Sequence, residues 1–523
     1  MLVREYLAGQ ARSRPEHLAY VAGPAHRSWS ETADRSGRLA AAWRSLGLRA
    51  GEVVASLSQD GLELVEVWFA SATLGTVRTG INWRYAPREI EHILRDAAVA
   101  VLVVEGGTCE EAFGSVDRTS LTALRHVIGF GDHHQDLDYE EIIAGQEALP
   151  RDEWPPLSED DPIAISYTSG STGLAKGAIW THRAVVATEL NTWIQVGVRH
   201  DDVFLHCLPA AGVPVLLATW NVFVGSTIVL LPRFAAAAAL RSIQDHRVTS
   251  TLLVPTMMLD LLDHPDLSRT DLSSLRTVMY GSAPATPALV RRAMQEFGCE
   301  LQQWYGATEG AAGWFSILHH EDHLRALASD PGLLQSCGRP TVHTEIAIVS
   351  EAGQRLPANE VGEIAVRSET LMSGYLGLPD ETRQVLQEPG WLRTGDMGRI
   401  DEDGYLYLVD RKKFMIITGG YNVYPVVVEN VLAEHPAVRE AAVVGVPDER
   451  WGEAVGALVV SDGTVTGEDL MLFCTGRLAR FEVPKHVVLV DRLPRGATGK
   501  VLKRAVREQL LPLSVAPATL PRG

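Results

Sequence analysis

The stretch DPIAISYTSGSTGLAKG, residues 161–177, starts as a short apolar strand and then turns into glycine, serine and threonine. Glycine permits positive φ and close backbone approach to a phosphate, because it has no Cβ. The hydroxyl groups add hydrogen-bond donors, and Lys176 adds a point charge. The stretch therefore predicts a phosphate-binding loop at the carboxyl end of a strand, where α/β proteins usually bind ligands.

The loop is not a Walker A motif, which ends in Gly-Lys followed by Ser or Thr. Here Ala175 precedes Lys176 and Gly177 follows it. Taken alone, the stretch would also suit an ordinary glycine-serine loop after a buried strand, so other segments must decide between the two interpretations.

Length and composition limit the class of protein. A chain of 523 residues exceeds a single-core domain, and 46% hydrophobic with 21% charged residues indicates folded structure. The net charge of −18 argues against nucleic acid or an anionic membrane as the main partner. No apolar run reaches the ~20 residues of a membrane-spanning helix. The amino terminus lacks the apolar segment of a secretory signal, so we expect a cytoplasmic protein, with homodimerisation left open.

Cysteine and histidine spacing gives little sign of a metal site. The five cysteines are scattered without a C-x-x-C pair, which predicts reduced thiols in the core. The segment HHEDH, residues 319–323, lacks the H-E-x-x-H spacing of zinc proteases, and we expect a solvated charged loop there.

Helical patterns alternate with short β-branched runs through most of the chain, which predicts an α/β fold with much parallel sheet. From about residue 347 short strands with turn signals dominate, and a smaller unit follows the segment DRKKF, residues 410–414. We predict a large N-terminal domain of mixed layered sheets and helices over residues 1–410. A small α+β C-terminal domain would occupy residues 411–523.

Five further segments carry polar residues that a fold alone would not require: GSAPATP (281–287), QWYGATEG (303–310), WLRTGDMG (391–398), LVDRKKFMIITGGYNVYP (408–425) and LPRGATGKVLKR (493–504). Together with the opening stretch, and in this order, they resemble the adenylate-forming superfamily of acyl-CoA synthetases, peptide-synthetase adenylation domains and luciferases. The resemblance extends from about residue 28 to residue 507.

This resemblance implies a two-step ligase. A carboxylate attacks the α-phosphate of ATP to give acyl-AMP and pyrophosphate, and a thiol then attacks the mixed anhydride. Both steps develop charge on oxygen, so fixed donors and cations should dominate catalysis. The implied substrates and cofactors are a carboxylic acid, ATP, Mg²⁺ and CoA.

The resemblance also implies roles for residues of the large domain. The phosphate loop would use Thr168, Ser169, Gly170, Thr172 and Lys176. Adenine would lie between Tyr305 and the strip formed by Gly281, Ser282, Ala283 and Pro284. Thr308 would contact the α-phosphate, and Glu309 would bind magnesium as a hard oxygen ligand.

Further implied residues surround the start of the small domain. Asp396 would accept the ribose hydroxyls with help from Arg411, and Lys500 would bridge carboxylate and α-phosphate during adenylation. Lys413 matches the hinge about which the mobile small domain rotates, and Gly419 and Gly420 would line the pantetheine tunnel. Outside this pattern, Tyr305 would be a core aromatic, Asp396 a turn residue and Lys500 a solvated lysine.

The chain departs from the family pattern on the acyl side. Many relatives carry an aromatic residue and a histidine where CLPAAGVPV (207–215) has Ala210, Ala211 and Gly212. The smaller side chains predict a large, cyclic or otherwise unusual acid, with Trp220 or Trp314 as a wall. Ala175 replaces a proline usual in the phosphate loop, which should reduce only loop rigidity. The segment INWRY (81–85) resembles fatty and aryl acyl-CoA synthetases and favours CoA as acceptor.

Two alternatives stay open at this stage. The adenylate could pass to a carrier-protein thiol, an amine or another oxyanion, although no carrier domain with a modifiable serine follows the last motif. A non-catalytic nucleotide sensor is the second alternative, which the retention of Glu309, Asp396, Arg411 and Lys500 disfavours.

Overall fold

The computed structural model describes residues 1–168, 175–283, 285–311, 313–387, 390–411, 414–418, 421–448, 451–496 and 501–514. The helices are α1 (Val3–Ser13), α2 (Trp29–Ser45), α3 (Leu62–Leu74), α4 (Pro87–Asp96), α5 (Thr108–Gly114), α6 (Tyr139–Ala144), α7 (His182–Val196), α8 (Pro214–Leu217), α9 (Ala236–Asp245), α10 (Pro255–Leu262), α11 (Pro287–Phe297), α12 (His320–Ala328), α13 (Pro379–Val385), α14 (Pro425–Ala433), α15 (Gly467–Cys474) and α16 (Lys503–Ser514).

The strands of the large domain are β1 (Leu18–Ala22), β2 (Ala25–Ser28), β3 (Val53–Ser58), β4 (Val77–Asn82), β5 (Val101–Glu105), β6 (His126–Phe130), β7 (Leu137–Asp138), β8 (Pro162–Thr168), β9 (Lys176–Thr181), β10 (Val203–His206), β11 (Thr227–Leu230), β12 (Ser250–Leu253), β13 (Thr277–Gly281), β14 (Glu300–Gly306), β15 (Trp314–Leu318), β16 (Arg339–Pro340), β17 (Thr344–Val349), β18 (Gly362–Ser368), β19 (Gly374–Tyr375), β20 (Leu386–Gln387), β21 (Trp391–Ile400) and β22 (Leu406–Arg411). The small domain adds β23 (Ile416–Thr418), β24 (Tyr421–Val423), β25 (Val438–Asp448), β26 (Gly452–Ser461) and β27 (His486–Leu489).

Two large sheets form most of the N-terminal domain. Their strand orders are β16-β15-β14-β13-β12-β10-β11-β1-β2 and β19-β9-β8-β4-β3-β5-β6-β7. The central pairs of both sheets are parallel, for example β13 with β14 and β3 with β4. Strands such as β4 are buried along their whole length, as expected for parallel sheets covered on both faces.

Helix α3 joins the two large sheets. Every residue of α3 except Glu63 is buried, so the helix is apolar on all sides and must lie inside the domain. Its side chains Trp68 and Phe69 belong to a core cluster that also contains Phe204 of β10 and Ile163 of β8. The core therefore runs continuously between the sheets and fixes their strand ends relative to each other.

Two smaller sheets complete the fold. One has the order β17-β18-β21-β20 with β22 beside β21, and the other has the order β24-β23-β26-β25 with β27 beside β26. The last sheet packs against α14, α15 and α16 around its own cores, which identifies a smaller C-terminal domain. The predicted α/β architecture is confirmed. The boundary after residue 410 stays a prediction, and it falls at the end of β22, before β23 opens the second of these sheets.

One local expectation was wrong. Residues 319–323 do not form a solvated loop, because His319 precedes α12 and His323 is fully buried within it. His323 Nε2 lies 2.8 Å from the hydroxyl of Tyr280, and burial lowers the pKa of His323 to about 4. The apolar run at residues 213–220 contains the short helix α8, whose first residue is Pro214.

No helix in the described part of the chain is long and apolar enough to cross a membrane.

Candidate functional site

The predicted phosphate loop connects the antiparallel strands β8 and β9. Thr168, the last residue of β8, pairs with Lys176, the first of β9. The hydroxyl of Thr168 donates to the carbonyl of Lys176 at 3.5 Å. The hairpin therefore places both ends of the loop side by side, and any ligand of the loop would meet Lys176 at its base.

A single turn of 3₁₀ helix, Thr308–Gly310, follows β14 and packs against β8. Its carbonyls accept hydrogen bonds from Trp180 Nε1 to Thr308 at 2.9 Å and from Met372 N to Glu309 at 2.8 Å. Because Trp180 lies on β9, the hairpin and the turn are tied directly to each other. The backbone of the predicted α-phosphate and magnesium residues is thus fixed from two sides.

Tyr375 connects Lys176 to Glu309. The hydroxyl of Tyr375 donates to Glu309 Oε1 at 2.7 Å, and Lys176 Nζ lies 5.4 Å from the centre of the Tyr375 ring. Tyr375 reaches this place because β19 pairs with β9, with Tyr375 opposite Ala178. A cation over an aromatic face and a hydrogen-bonded carboxylate therefore share one side chain.

Tyr305 and Asp396 form a second tyrosine–carboxylate pair. The Tyr305 hydroxyl donates to Asp396 Oδ2 at 2.7 Å, and the two residues are 7% and 6% exposed. Burial, reinforced by the Asp396 carboxylate, raises the pKa of Tyr305 well above 10.0. The Tyr305 hydroxyl therefore keeps its proton at physiological pH and donates a hydrogen bond to Asp396. Asp396 also lies opposite Arg411 in the pairing of β21 with β22.

The predicted adenine strip begins where β13 ends. Gly281 pairs with Trp304 of β14, and a Cβ at Gly281 would overlap the carbonyl oxygen of Trp304. Ser282 follows with φ +66°, a left-handed conformation that costs energy for a residue other than glycine. The chain thus turns sharply at this strand end, one strand away from Tyr305.

These contacts form two groups of predicted site residues. Lys176 touches Tyr375, and Tyr375 binds Glu309. Tyr305, four residues before Glu309, binds Asp396. The first group holds predicted phosphate and magnesium residues, and the second holds predicted adenine and ribose residues.

Other predicted site residues lie outside the described residues: Ser169, Gly170, Thr172, Pro284, Lys413, Gly419, Gly420 and Lys500. Arg411 is described only as the last residue of β22. The predicted walls of the acyl side are both buried, and the Trp314 ring meets Trp304 edge-on at 4.5 Å while Trp220 meets Phe204 at 4.7 Å.

The sequence analysis missed Tyr375 and Trp180. Both depend on pairings that join distant segments, namely β19 with β9 and the Trp180 indole with Thr308. The segment SGYLG, which begins at Ser373, gave the one available signal, an aromatic residue between turn-forming glycines.

The family model described as AMP-binding enzyme matches residues 7–376, and the AMP-binding enzyme C-terminal domain matches residues 427–500. The chain belongs to the AMP-binding enzyme family. It is therefore a member of the adenylate-forming superfamily that the six motifs resemble, and an ATP-dependent ligase.

Relatives of this AMP-binding enzyme cover nearly its whole length. It is 34% identical to the medium/long-chain-fatty-acid–CoA ligase FadD8 of Mycobacterium tuberculosis, over 96% of this chain and 89% of the relative. It is 35% identical to a feruloyl-CoA synthase of an Amycolatopsis species, over 96% and 97%. The solved structure of the amide bond synthetase McbA from Marinactinospora thermotolerans superimposes with a TM-score of 0.88 at 33% identity, covering 97% of this chain and 100% of that one.

Proposed function

We propose that this enzyme activates a bulky carboxylic acid with ATP and transfers the acyl group to CoA. The observation that carries the proposal is the connected set formed by Lys176, Tyr375 and Glu309 beside the Tyr305–Asp396 pair. These two groups offer one cation and two carboxylates, which is what a nucleotide triphosphate with its metal ion requires. The CoA ligases among the relatives support CoA as the acceptor.

In the first step a carboxylate oxygen attacks the α-phosphorus of ATP, and pyrophosphate leaves. Lys176 would stabilise the charge on the departing phosphates, while Thr308 would contact the α-phosphate. Asp396 would accept the ribose hydroxyls, and its second partner Tyr305 would keep the carboxylate oriented at 2.7 Å. Lys500 would bridge the attacking carboxylate and the α-phosphate.

Glu309 suits a magnesium ion. Carboxylate oxygen is the hard ligand that Mg²⁺ prefers, and the Tyr375 hydroxyl occupies Oε1 of Glu309. When bound, the metal would offset the negative charge of the phosphate oxygens. Because the Tyr375 hydroxyl already holds the Glu309 carboxylate, this side chain would have to move less when Mg²⁺ binds.

In the second step a thiol sulfur attacks the acyl carbonyl carbon, AMP leaves, and the thiol proton is released. We propose that rotation of the small domain about Lys413 withdraws Lys500 and brings Gly419 and Gly420 to the thiol path. One active site could then serve two reactions without two sets of cations.

The acid should be large or cyclic. Ala210, Ala211 and Gly212 add little side-chain bulk, and the buried indoles of Trp220 and Trp314 would bound the remaining space. An apolar pocket gains binding free energy with each methylene that it buries, so small acids should bind weakly. Best turnover with acetate or propionate would contradict this assignment.

An amine acceptor is the second candidate. The amide bond synthetase McbA resembles this chain over its whole length. The acceptor therefore needs a direct test, whereas the cytoplasmic location and dimerisation stay predictions.

The deciding experiment measures pyrophosphate release for a panel of fatty, aryl and short-chain acids, each with no acceptor, with CoA and with simple amines. We expect acid-dependent ATP–pyrophosphate exchange without an acceptor and thioester formation with CoA. Amide formation that exceeds thioester formation would select the second candidate. No exchange with any acid would contradict both.

A further inference from the structure

Residues 210–212, on the proposed acyl side, lie in the loop between β10 and α8 and are held through their backbone. Ala210 N donates to Asp60 Oδ1 at 2.9 Å. The carbonyls of Ala210 and Ala211 accept from the guanidinium of Arg78 at 2.9 and 3.1 Å. Three backbone polar groups of the loop are thus bound by two side chains that lie far away in sequence.

Arg78 is an unusual residue for its position. It is the second residue of β4, is 2% exposed, and also donates to Ser56 Oγ at 3.1 Å. Burial lowers the pKa of Arg78 to about 10, while Asp60 acts in the opposite direction. A buried guanidinium is tolerated only where several acceptors surround it. The carbonyls of the loop are two of those acceptors.

Asp60 and His206 complete the cluster. They are 5% and 1% exposed, and His206 Nε2 lies 3.4 Å from Asp60 Oδ2. Asp60 follows β3 and Arg78 lies on β4, whereas His206 ends β10 in the other large sheet. The cluster therefore bridges the two sheets directly beneath the loop.

Two close approaches fix where the loop lies. A Cβ at Gly80 would overlap the carbonyl oxygen of Ala211, so β4 and the loop are in direct backbone contact. A Cβ at Gly212 would come within 3.5 Å of Ser166 Oγ. Ser166 lies two residues before Thr168 on β8, and its buried hydroxyl has no hydrogen-bond partner among the described groups. The loop thus borders the strand that leads into the phosphate loop.

We infer that Arg78, supported by Asp60 and His206, is a positioning residue that sets the backbone of residues 210–212 and thereby selects the carboxylic acid. This inference rests on the proposed function, which places the acid beside that loop. Small side chains alone leave space there, and a fixed backbone gives that space a defined shape. Moving the loop should change which acids fit without changing the nucleotide site.

The test compares Arg78→Met with Arg4→Met. Arg4 is a matched control, because it is also buried and donates to two carbonyls, those of Thr73 and Pro155, at 3.2 and 2.9 Å. Arg78→Met should raise KM for the best acid by about tenfold or more, since a charged donor is lost from a buried loop. KM for ATP should change by less than about twofold, and the ranking of acids in the panel should change. Arg4→Met should change neither of the two KM values and should leave the ranking of acids as in the wild type.

A second variant covers a failure to fold. Arg78→Lys keeps the charge but loses the planar fork that binds two carbonyls, so KM for the acid should rise by a smaller factor. Folded Arg78 variants that keep the acid ranking and the KM of the wild type would overturn the inference. A wild-type enzyme without acid-dependent exchange would instead overturn the proposed function.

Discussion

The proposed nucleotide side and the proposed acyl side of the site are held by different chemistry. On the nucleotide side, tyrosine hydroxyls bind the carboxylates of Glu309 and Asp396. On the acyl side, a buried guanidinium binds main-chain carbonyls. The first arrangement fixes side chains that would meet ATP, and the second fixes backbone while leaving the side chains small. Reaction chemistry and acid choice can therefore change independently.

The largest expected effect concerns Lys500, which is proposed to act only in the first half-reaction. Lys500→Ala should lower the rate of adenylation by about 100- to 1000-fold, because the cation proposed to act in the transition state would be lost. Conversion of supplied acyl-AMP to thioester should persist. Single-turnover assays of the two half-reactions check this, with Arg504→Ala as a control whose side chain is 90% exposed. An equal loss in both half-reactions would argue against domain rotation.

The next largest effect is expected from substitution of Asp396, the proposed ribose-binding residue. Asp396→Ala should raise KM for ATP by about 10- to 100-fold, since hydrogen bonds to a charged acceptor would be lost. KM for the acid should stay nearly constant. Steady-state kinetics with each substrate varied would show this, and a rise in KM for the acid alone would place Asp396 on the wrong side of the site.

Tyr375→Phe sharpens the comparison within the nucleotide side. The variant keeps the ring beneath Lys176 and removes only the donor to Glu309, so exchange activity should fall by about fivefold. The Mg²⁺ concentration for half-maximal activity should rise, and calorimetry should show weaker Mg²⁺-dependent binding of ATP. Unchanged magnesium dependence of both signals would exclude the proposed role of Tyr375. Phe315→Leu, in the neighbouring core, is a control for general loss of packing.

Glu189 tests a region that should affect neither side. It lies on α7, is 3% exposed, and burial raises its pKa well above 4.5. The stability that a raised carboxyl pKa contributes is complete below pH 4.5 and is lost as pH rises toward the folded pKa. Glu189→Gln should therefore stabilise the protein by about 1–3 kcal/mol at pH 8 and by less at pH 5. Thermal unfolding at both pH values measures this, and an equal gain at both would refute it.

Much of the nucleotide side could be predicted from the sequence. Its residues occur in short motifs whose order is informative. Described contacts join Lys176 to Glu309 through Tyr375, and Asp396 to Tyr305. Tyr375 could not be predicted, because its role depends on the pairing of β19 with β9. Their assignment to ATP and magnesium stays a prediction.

The acyl side shows why prediction stops where it does. The small residues of the loop were visible, but Asp60, Arg78 and His206 meet only after the two large sheets pack together. A lone arginine in an apolar strand indicates that buried hydrogen-bond acceptors are present, but the sequence does not show which residues provide them. The loop prediction for residues 319–323 was wrong for a related reason. The polar composition of the segment gives no sign that His323 is buried in the core.

The pairing of β21 with β22 has a practical consequence for domain exchange. Asp396 and Arg411 pair in the register of these strands, so the strand that ends at the proposed domain boundary also supports the proposed ribose residue. A chimera that grafts a foreign C-terminal domain should therefore join after Arg411. A junction before Leu406 would replace all of β22, the strand that pairs with β21 beside Asp396. The proposed nucleotide site would then be supported by a strand from the foreign protein.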